Sequence, residues 1–219
     1  FPGLPQVEAA AMGTARAVGI DVPETLLLHP DQLEGLSNIL GHLPDEPFYA
    51  IRRFDRNDAT SPLNDSTATP ALKERIHVED FAQVFSLRTS QKYNRINYDM
   101  MAMTLLQYAG GVDDLKEITR RLVLNVLLGN GDAHIKNWSL IYPDRKIARL
   151  SPAYDLVCTA VYPNQADLGL PFFGTARISE VSRDHFARLQ AALNVDDVLD
   201  VVDEMIERFC QAWAVGAAE

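Results

Sequence analysis

The densest run of chemically capable residues in this chain is Gly129-Asn-Gly-Asp132-Ala-His134-Ile135-Lys136-Asn137, set between an apolar helical stretch and the apolar run Trp138-Ser-Leu-Ile141. A carboxylate, an imidazole, an ammonium and a carboxamide crowded together are costly to desolvate unless they pair with one another, a metal or a ligand. Asp132 and Asn137 stand five apart. A phosphoryl-transfer loop uses that separation for an Asp that accepts the proton of an attacking hydroxyl and an Asn that holds Mg²⁺. A second acidic site follows at Leu150-Ser-Pro-Ala-Tyr154-Asp155-Leu156. Between the two, Leu140 to Leu150 reads as a hairpin around Pro143-Asp144-Arg145. Folding back in this way would let Asp132 and Asp155 meet across one cation, and Mg²⁺ takes a few hard oxygen ligands besides the phosphates. On these residues alone three readings stay open: phosphoryl transfer, hydrolysis with water as nucleophile, and a capped, salt-bridged turn. Asp155 by itself also reads as an N-cap or turn residue after Pro152. Gly129-Asn-Gly131 is too short for a dinucleotide fingerprint and reads as a flexible approach to the loop.

These residues need elements to position them. Phe1-Pro-Gly-Leu-Pro5 reads as a rigid extended lead-in, followed by a helix over about 6 to 18 with Val7, Ala10, Ala11, Ala15 and Val18 at helical spacing. Leu26-Leu27-Leu28 and Phe48-Tyr49-Ala50-Ile51 look like a pair of strands. From Arg56 to about Lys73 the chain is rich in turn formers and offers little to bury, so a mobile loop is expected. The C-terminal half is mainly α. Phe81, Val84 and Phe85 begin a helical pattern, and Met100 to Tyr108 follow Asn97 and close at Gly110-Gly111. Asp114 and Glu117 are suited to a capping box for a helix that turns Leu115, Ile118, Leu122 and Val126 to one side and ends near Gly129. The last two helices start near Ser182 and Asp196, and the final one is expected to bury Val198, Val202, Met205, Phe209 and Trp213.

At 219 residues, 24.4 kDa and 47% hydrophobic, the chain is long enough for one substantial core. No stretch approaches the roughly 20 apolar residues of a membrane span, and no signal-peptide pattern opens the chain. A soluble, unexported, cytoplasmic protein without membrane association is expected. The net charge of −10 repels phosphate backbones and argues against direct nucleic-acid binding over most of the surface. Cys158 and Cys210 lack metal-binding spacing and are expected to be buried free thiols. The histidines His29, His42, His77 and His185 are scattered and build no metal site.

The stretch from Gly129 to Tyr142, followed by Leu150 to Leu156, resembles the catalytic loop and metal-binding Tyr-Asp motif of the HipA-like serine/threonine kinases, the toxin-type kinases of bacterial toxin-antitoxin pairs. Further segments resemble the family in the same order: Val7-Glu8-Ala-Ala-Ala-Met12 leading to Gly19-Ile-Asp-Val-Pro23, Ala50-Ile-Arg-Arg-Phe-Asp-Arg56, Arg75-Ile-His-Val-Glu-Asp-Phe81, and Lys92-Tyr93. Together they cover most of residues 5 to 175.

The resemblance implies an α+β, mainly α fold of the protein-kinase-like HipA C-terminal type, with a small strand-containing N-terminal part and a helical C-lobe. Residues 1–55 would be the remnant of the smaller lobe and hinge, 56–75 the mobile loop and 76–219 the helical lobe. The cofactors would be ATP and Mg²⁺. Asp132 would accept the proton, and Asn137 and Asp155 would hold the metal. His134, Ile135, Lys136, Asn137, Tyr154 and Asp155 would line the nucleotide; Arg52, Arg53 and Phe54 would meet the adenine edge through the backbone, with Asp55 near the ribose. Glu8 occupies the place of a helix Glu that orients a phosphate-binding lysine, or that of an ordinary surface Glu. The family's usual Glu is replaced by Arg52, which alters the local electrostatics more than a backbone contact. The family's phosphate loop and strand lysine would lie before Phe1, so the chain is expected to begin just after that lysine, for which Lys136 is a poor substitute. Two alternatives follow: a partner-dependent or pseudokinase-like binding module, and a metal-dependent phosphohydrolase. The resemblance also implies a helix-turn-helix antitoxin as partner and a translation component as protein substrate.

Overall fold

The computed structural model describes residues 2–33, 35, 45–56, 75–87, 96–163, 165 and 167–216. The expected loop between Arg56 and Arg75, with Thr60, Ser61 and Ser66, lies outside the described residues, as do Lys92-Tyr93 and His42.

Helix α1 spans Leu4–Ala17, two residues earlier than the apolar spacing suggested. Proline is tolerated in the first turn because the N–H it lacks has no helical acceptor there. The expected extended lead-in is therefore a tight turn, with Gly3 left-handed at φ 68° and Pro5 inside the helix. Strands β1 (Thr25–Leu28) and β2 (Phe48–Ile51) pair antiparallel, as their composition indicated, with Leu26 opposite Ala50 and Leu27 opposite Tyr49. Helix α1 packs against both.

Strand β3 (His77–Asp80) leads directly into the single turn α2 (Phe81–Val84). The carboxylate of Asp80 caps that turn by accepting from the Gln83 N–H at 2.8 Å. Helix α3 (Tyr98–Tyr108) is capped by Asn97, which accepts from Met100 N–H at 2.9 Å. Helix α4 (Val112–Leu128) follows, buries Leu115, Ile118, Leu122 and Leu124, and ends on left-handed Gly129. Each such side chain contributes roughly 1.5–3 kcal/mol when fully buried.

The capping box expected at Asp114 and Glu117 does not form. Gly111 is the N-cap. The Asp114 carboxylate instead reaches back to accept from Gly110 N–H at 2.9 Å and across the fold from Leu150 N–H at 2.7 Å. Glu117 accepts from buried Arg121 at 2.8 Å, and Arg121 donates onward to the carbonyl of Ser151 at 2.8 Å. Polar groups that looked like local helix punctuation are thus spent on docking a distant strand.

The expected hairpin is present: β4 (Ser139–Tyr142) lies between β3 and β5 (Arg149–Leu150), antiparallel to each. A second small hairpin joins β6 (Asp167–Phe172) and β7 (Thr175–Arg177). Helices α5 (Arg183–Leu193) and α6 (Val198–Gly216) close the fold, α6 lying along α4. Val198, Val202 and Met205 are buried as expected. Phe209 is half-buried, and Trp213 is 61% exposed, stacked on Phe209, because no described element covers the last turns of α6. For the same reason Cys210 is exposed; Cys158 is only partly buried, and both are free thiols.

Candidate active site

The loop after α4 is held by its own polar side chains. Asn130 is wholly buried; its N–H donates to the Asn125 carbonyl at 2.8 Å, its amide nitrogen donates to Asn125 Oδ1 at 2.8 Å, and its Oδ1 accepts from Asp132 N–H at 3.1 Å. Gly131 N–H donates to Thr159 Oγ1 at 2.7 Å, and that hydroxyl donates to the Gly129 carbonyl at 3.1 Å. A methyl group at Gly131 would stand 2.5 Å from the Asp167 carbonyl. The expected flexible approach is therefore a pinned one, and glycine is required at 131 for closeness rather than freedom.

Asp132 is exposed. The short turn Ile135–Asn137 brings Asn137 back toward it, and the Asn137 amide nitrogen donates to the Asp132 carbonyl at 3.0 Å. This contact commits the Asn137 nitrogen to the loop backbone and leaves Oδ1 on the other side of the amide. The carbonyl of Ala133 is buried under two donors, Tyr98 Oη at 2.7 Å and Trp138 Nε1 at 3.2 Å. Ile135 is fully buried in the core, so its expected place along a nucleotide is corrected: its side chain anchors the loop from below.

Asp155 arrives from the other side. Its segment is tied down by Ser151 N–H to the Ser139 carbonyl at 2.9 Å and Ala153 N–H to the Asp21 carbonyl at 2.8 Å. Tyr154 Oη donates to the Lys136 carbonyl at 2.8 Å and accepts from Ser139 Oγ at 2.6 Å, which couples the Tyr-Asp segment to the loop. Burial pushes the Tyr154 phenol up to about 12. Asp155 itself is left-handed, at φ 56°, a conformation that Asp tolerates better than most residues and that concentrates at functional sites. Its carboxyl is raised above the usual range, first by desolvation, then by the charge of Asp132, with His134 acting in the opposite sense. Glu8 on α1 is raised to about 7 by burial and by the charge of Asp155. Asp132, Asp155 and Glu8 thus share one electrostatic neighbourhood built from three separate parts of the chain.

Among the described residues, no three His, Cys, Asp or Glu side chains are grouped closely enough to hold a metal by themselves. Asp155 and Asn137 both line one small hollow, and a carboxylate and an amide oxygen are the hard donors that suit Mg²⁺, a cation that fills its remaining positions with water and phosphate oxygens. Beside it lies a larger hollow of about 290 Å³, lined by Ile51 to Asp55, Val78, Ser139 and Tyr154. The Phe54 and Tyr154 rings stand 5.7 Å apart at its wall. Arg52 faces outward, paired with Glu24 at 3.0 Å. Arg53 grips Asp55 through two bonds of 2.8 and 2.7 Å and, with Arg56, holds the Asp55 carboxyl below the usual range. The apolar wall and exposed backbone edge suit a flat heteroaromatic ring.

Some contributors were not anticipated. Thr159, Asn125 and Asn130 pin the loop, and Gly169 allows β6 to lie against it, since a methyl there would stand 2.5 Å from the Ala133 carbonyl carbon and 2.7 Å from the His134 nitrogen. A signal existed for Asn125, a carboxamide three residues after Leu122 on the apolar stripe of α4. None existed for Gly169.

No helix among the described residues is long and apolar enough to cross a membrane. A family model described as the HipA-like C-terminal domain matches residues 1–213. Y4dM of Sinorhizobium fredii, designated a kinase, is 40% identical over 216 residues, covering 97% of this chain and 49% of that protein. A protein of Haemophilus influenzae with the same designation is 30% identical over 176 residues, covering 78% of this chain and 47% of its own length. The chain therefore spans about half the length of the curated relatives it matches. Among solved structures, HipA of Shewanella oneidensis, in a toxin-antitoxin complex with HipB and operator DNA, aligns with a TM-score of 0.78 at 19% identity, over 98% of this chain and 49% of that one. CtkA, a proinflammatory kinase of Helicobacter pylori, aligns with a TM-score of 0.53 at 13% identity, over 96% and 82%. The fold is the kinase-like one of these proteins, and the chain belongs to the HipA-like C-terminal domain family.

Proposed function

We propose that this chain is the nucleotide-binding and catalytic portion of an ATP- and Mg²⁺-dependent serine/threonine protein kinase of the HipA-like kind. The observation that carries the reading is the convergence of Asp132, Asn137 and Asp155 on one rim, beside an apolar hollow sized for a base. Residues 1–55 and 76–219 serve as the two sides of the cleft. Adenine occupies the hollow walled by Phe54 and Tyr154, against the backbone of Arg52 to Phe54, with Asp55 near the ribose. His134 and Lys136 lie along the phosphates.

Mg²⁺, when bound, neutralises charge developing on the phosphate oxygens. Asn137 Oδ1 and the Asp155 carboxylate hold it. Asp132, on a loop pinned at both ends, orients the attacking hydroxyl and takes its proton as the new bond to the γ-phosphorus forms, while the bond from that phosphorus to the β,γ-bridging oxygen breaks and ADP leaves with its electron pair. Positioning and charge neutralisation supply most of the rate in such a transfer. Burial first, and then the charge of a neighbouring carboxylate, raises Asp155 and Glu8, and a cation held at Asp155 would favour its ionised form. A helix-turn-helix antitoxin is the proposed partner, on the likeness to the Shewanella protein, a translation component the proposed substrate, and the cytoplasm the proposed location.

The test is transfer from γ-labelled ATP with Mg²⁺ by the full encoded protein, beside its Asp132→Asn variant. Label on protein from the parent alone, with ATP binding kept in the variant, is the expected result. Equal labelling by both sinks the assignment of Asp132, and release of free phosphate without phosphoprotein favours a phosphohydrolase.

A further inference from the structure

Two buried carboxamides stand behind the loop. Asn125, in the last turn of α4, is 1% exposed and Asn130 is 0% exposed. The orientation of each amide follows from its hydrogen-bond partners. Asp132 presents an N–H to Asn130, so the Asn130 oxygen faces Asp132 at 3.1 Å. The Asn130 nitrogen must then face Asn125, whose oxygen accepts it at 2.8 Å. The Asn125 nitrogen is left pointing the other way, without a hydrogen-bond partner among the described residues. The small hollow that Asn125 lines with Arg121, Asn137, Tyr154 and Asp155 has a volume of about 10 Å³, the space of one water molecule.

A buried carboxamide with a spare donor is costly, and leucine would serve packing alone better at this point of an apolar stripe. From the chain of bonds that runs from α4 to the Asp132 N–H, we infer that Asn125 is a positioning residue: through Asn130 it sets the backbone at Asp132, and with it the carboxylate, relative to the rigid helix. This rests on the kinase reading for its catalytic consequence, but the geometry it asserts is independent of that reading. Asn125 also lines the small hollow that Asn137 and Asp155 line, so the last turn of α4 meets both acidic segments of the site through one residue.

The experiment compares the full encoded protein with Asn125→Leu and Asn130→Asp. Asn130→Asp keeps an acceptor for the Asp132 N–H, and a half-turn of the Asn125 amide restores the bond between the two side chains. Two readouts are taken: kcat and KM for phosphoryl transfer from ATP, and amide hydrogen exchange at Asp132 without nucleotide, with Ile118 and Leu124 of α4 as internal controls. Asn125→Leu is expected to lower kcat by about 10- to 100-fold with KM for ATP little changed, as a misplaced catalytic group does. It is also expected to speed exchange at Asp132 by about 10-fold, the loss of one hydrogen bond's worth of protection, with the controls unmoved. Asn130→Asp, with Asn125 intact, should keep most of the parent's kcat and of its protection at Asp132. Unchanged exchange at Asp132 in folded Asn125→Leu, or acceleration shared equally by Ile118 and Leu124, overturns the proposal. If the parent transfers no phosphate, the kinase reading fails, and the exchange comparison still decides the positioning role.

Discussion

The amide of Asn137 donates to the main-chain carbonyl of Asp132 over 3.0 Å, closing the five-residue step between them into a small ring. The bond has two effects at once. It ties the carboxamide of Asn137 to the backbone that carries the acidic side chain, and it assigns the Asn137 nitrogen to the loop so that Oδ1 stays on the opposite side of the amide.

Replacing Asn137 by Ala removes both Oδ1 and the bond that holds the ring. The Mg²⁺ concentration giving half-maximal phosphoryl transfer is expected to rise by at least about 10-fold, the usual loss when a metal site is deprived of an orienting or ligating group. A magnesium titration of transfer rate by parent and variant checks this. An unchanged half-point would place the cation elsewhere.

Phe54→Ala opens the wall that Phe54 and Tyr154 build together. An aromatic contact of this kind contributes about 0.5–1.5 kcal/mol beyond its area, so the Kd for ADP should rise by roughly 2- to 10-fold while Mg²⁺ dependence stays put. Calorimetric titration with ADP measures it, and unaltered affinity would remove the base from this hollow.

Gly169→Ala forces a methyl into the backbone of Ala133 and His134. Neither neighbour is a flexible side-chain tip, so β6 must back away from the loop, at a cost of about 1–3 kcal/mol typical of overpacking. A lower Tm together with faster amide exchange at Ala133 and His134 is expected. Parent-like melting would mean that β6 sits farther from the loop than described.

The acidity of Glu8 gives the protein a signed pH response. Its ordinary value is 4.5 and the folded value about 7. Between those two, the native state keeps a proton that the unfolded chain has released, so stability falls as pH rises through this window and levels off above it. Asp155 is shifted in the same direction and keeps its own share. Glu8→Gln removes the Glu8 share, so the variant should melt higher than the parent at pH 8 and lose that advantage by pH 4. Thermal melts across the range test it; the same offset at both ends would mean that Glu8 titrates normally.

Much of this molecule was legible in the order of its residues. The step from Asp132 to Asn137, the hairpin returning to Tyr154 and Asp155, the β1–β2 pair and the capped helices all depend on neighbours close in sequence, where spacing and turn chemistry act directly on the backbone. Other features required partners from far along the chain. Asp114 and Glu117 carry the signature of a local cap, yet Asp114 docks Leu150 and Glu117 holds Arg121. Trp213 has the spacing of a core residue and stands in the open, because helical periodicity tells which face is apolar and not whether another element arrives to cover it. Glu8 is ordinary in sequence and abnormal in acidity, since its burial and the charge of Asp155 exist only once α1 lies across the site. The sequence by itself determined which chemically capable groups are present and how far apart they sit along the chain. The tertiary structure alone decided their distances, their protonation and the buried amides that hold them, because each of these depends on dielectric surroundings and contacts assembled from segments that meet only in the folded state.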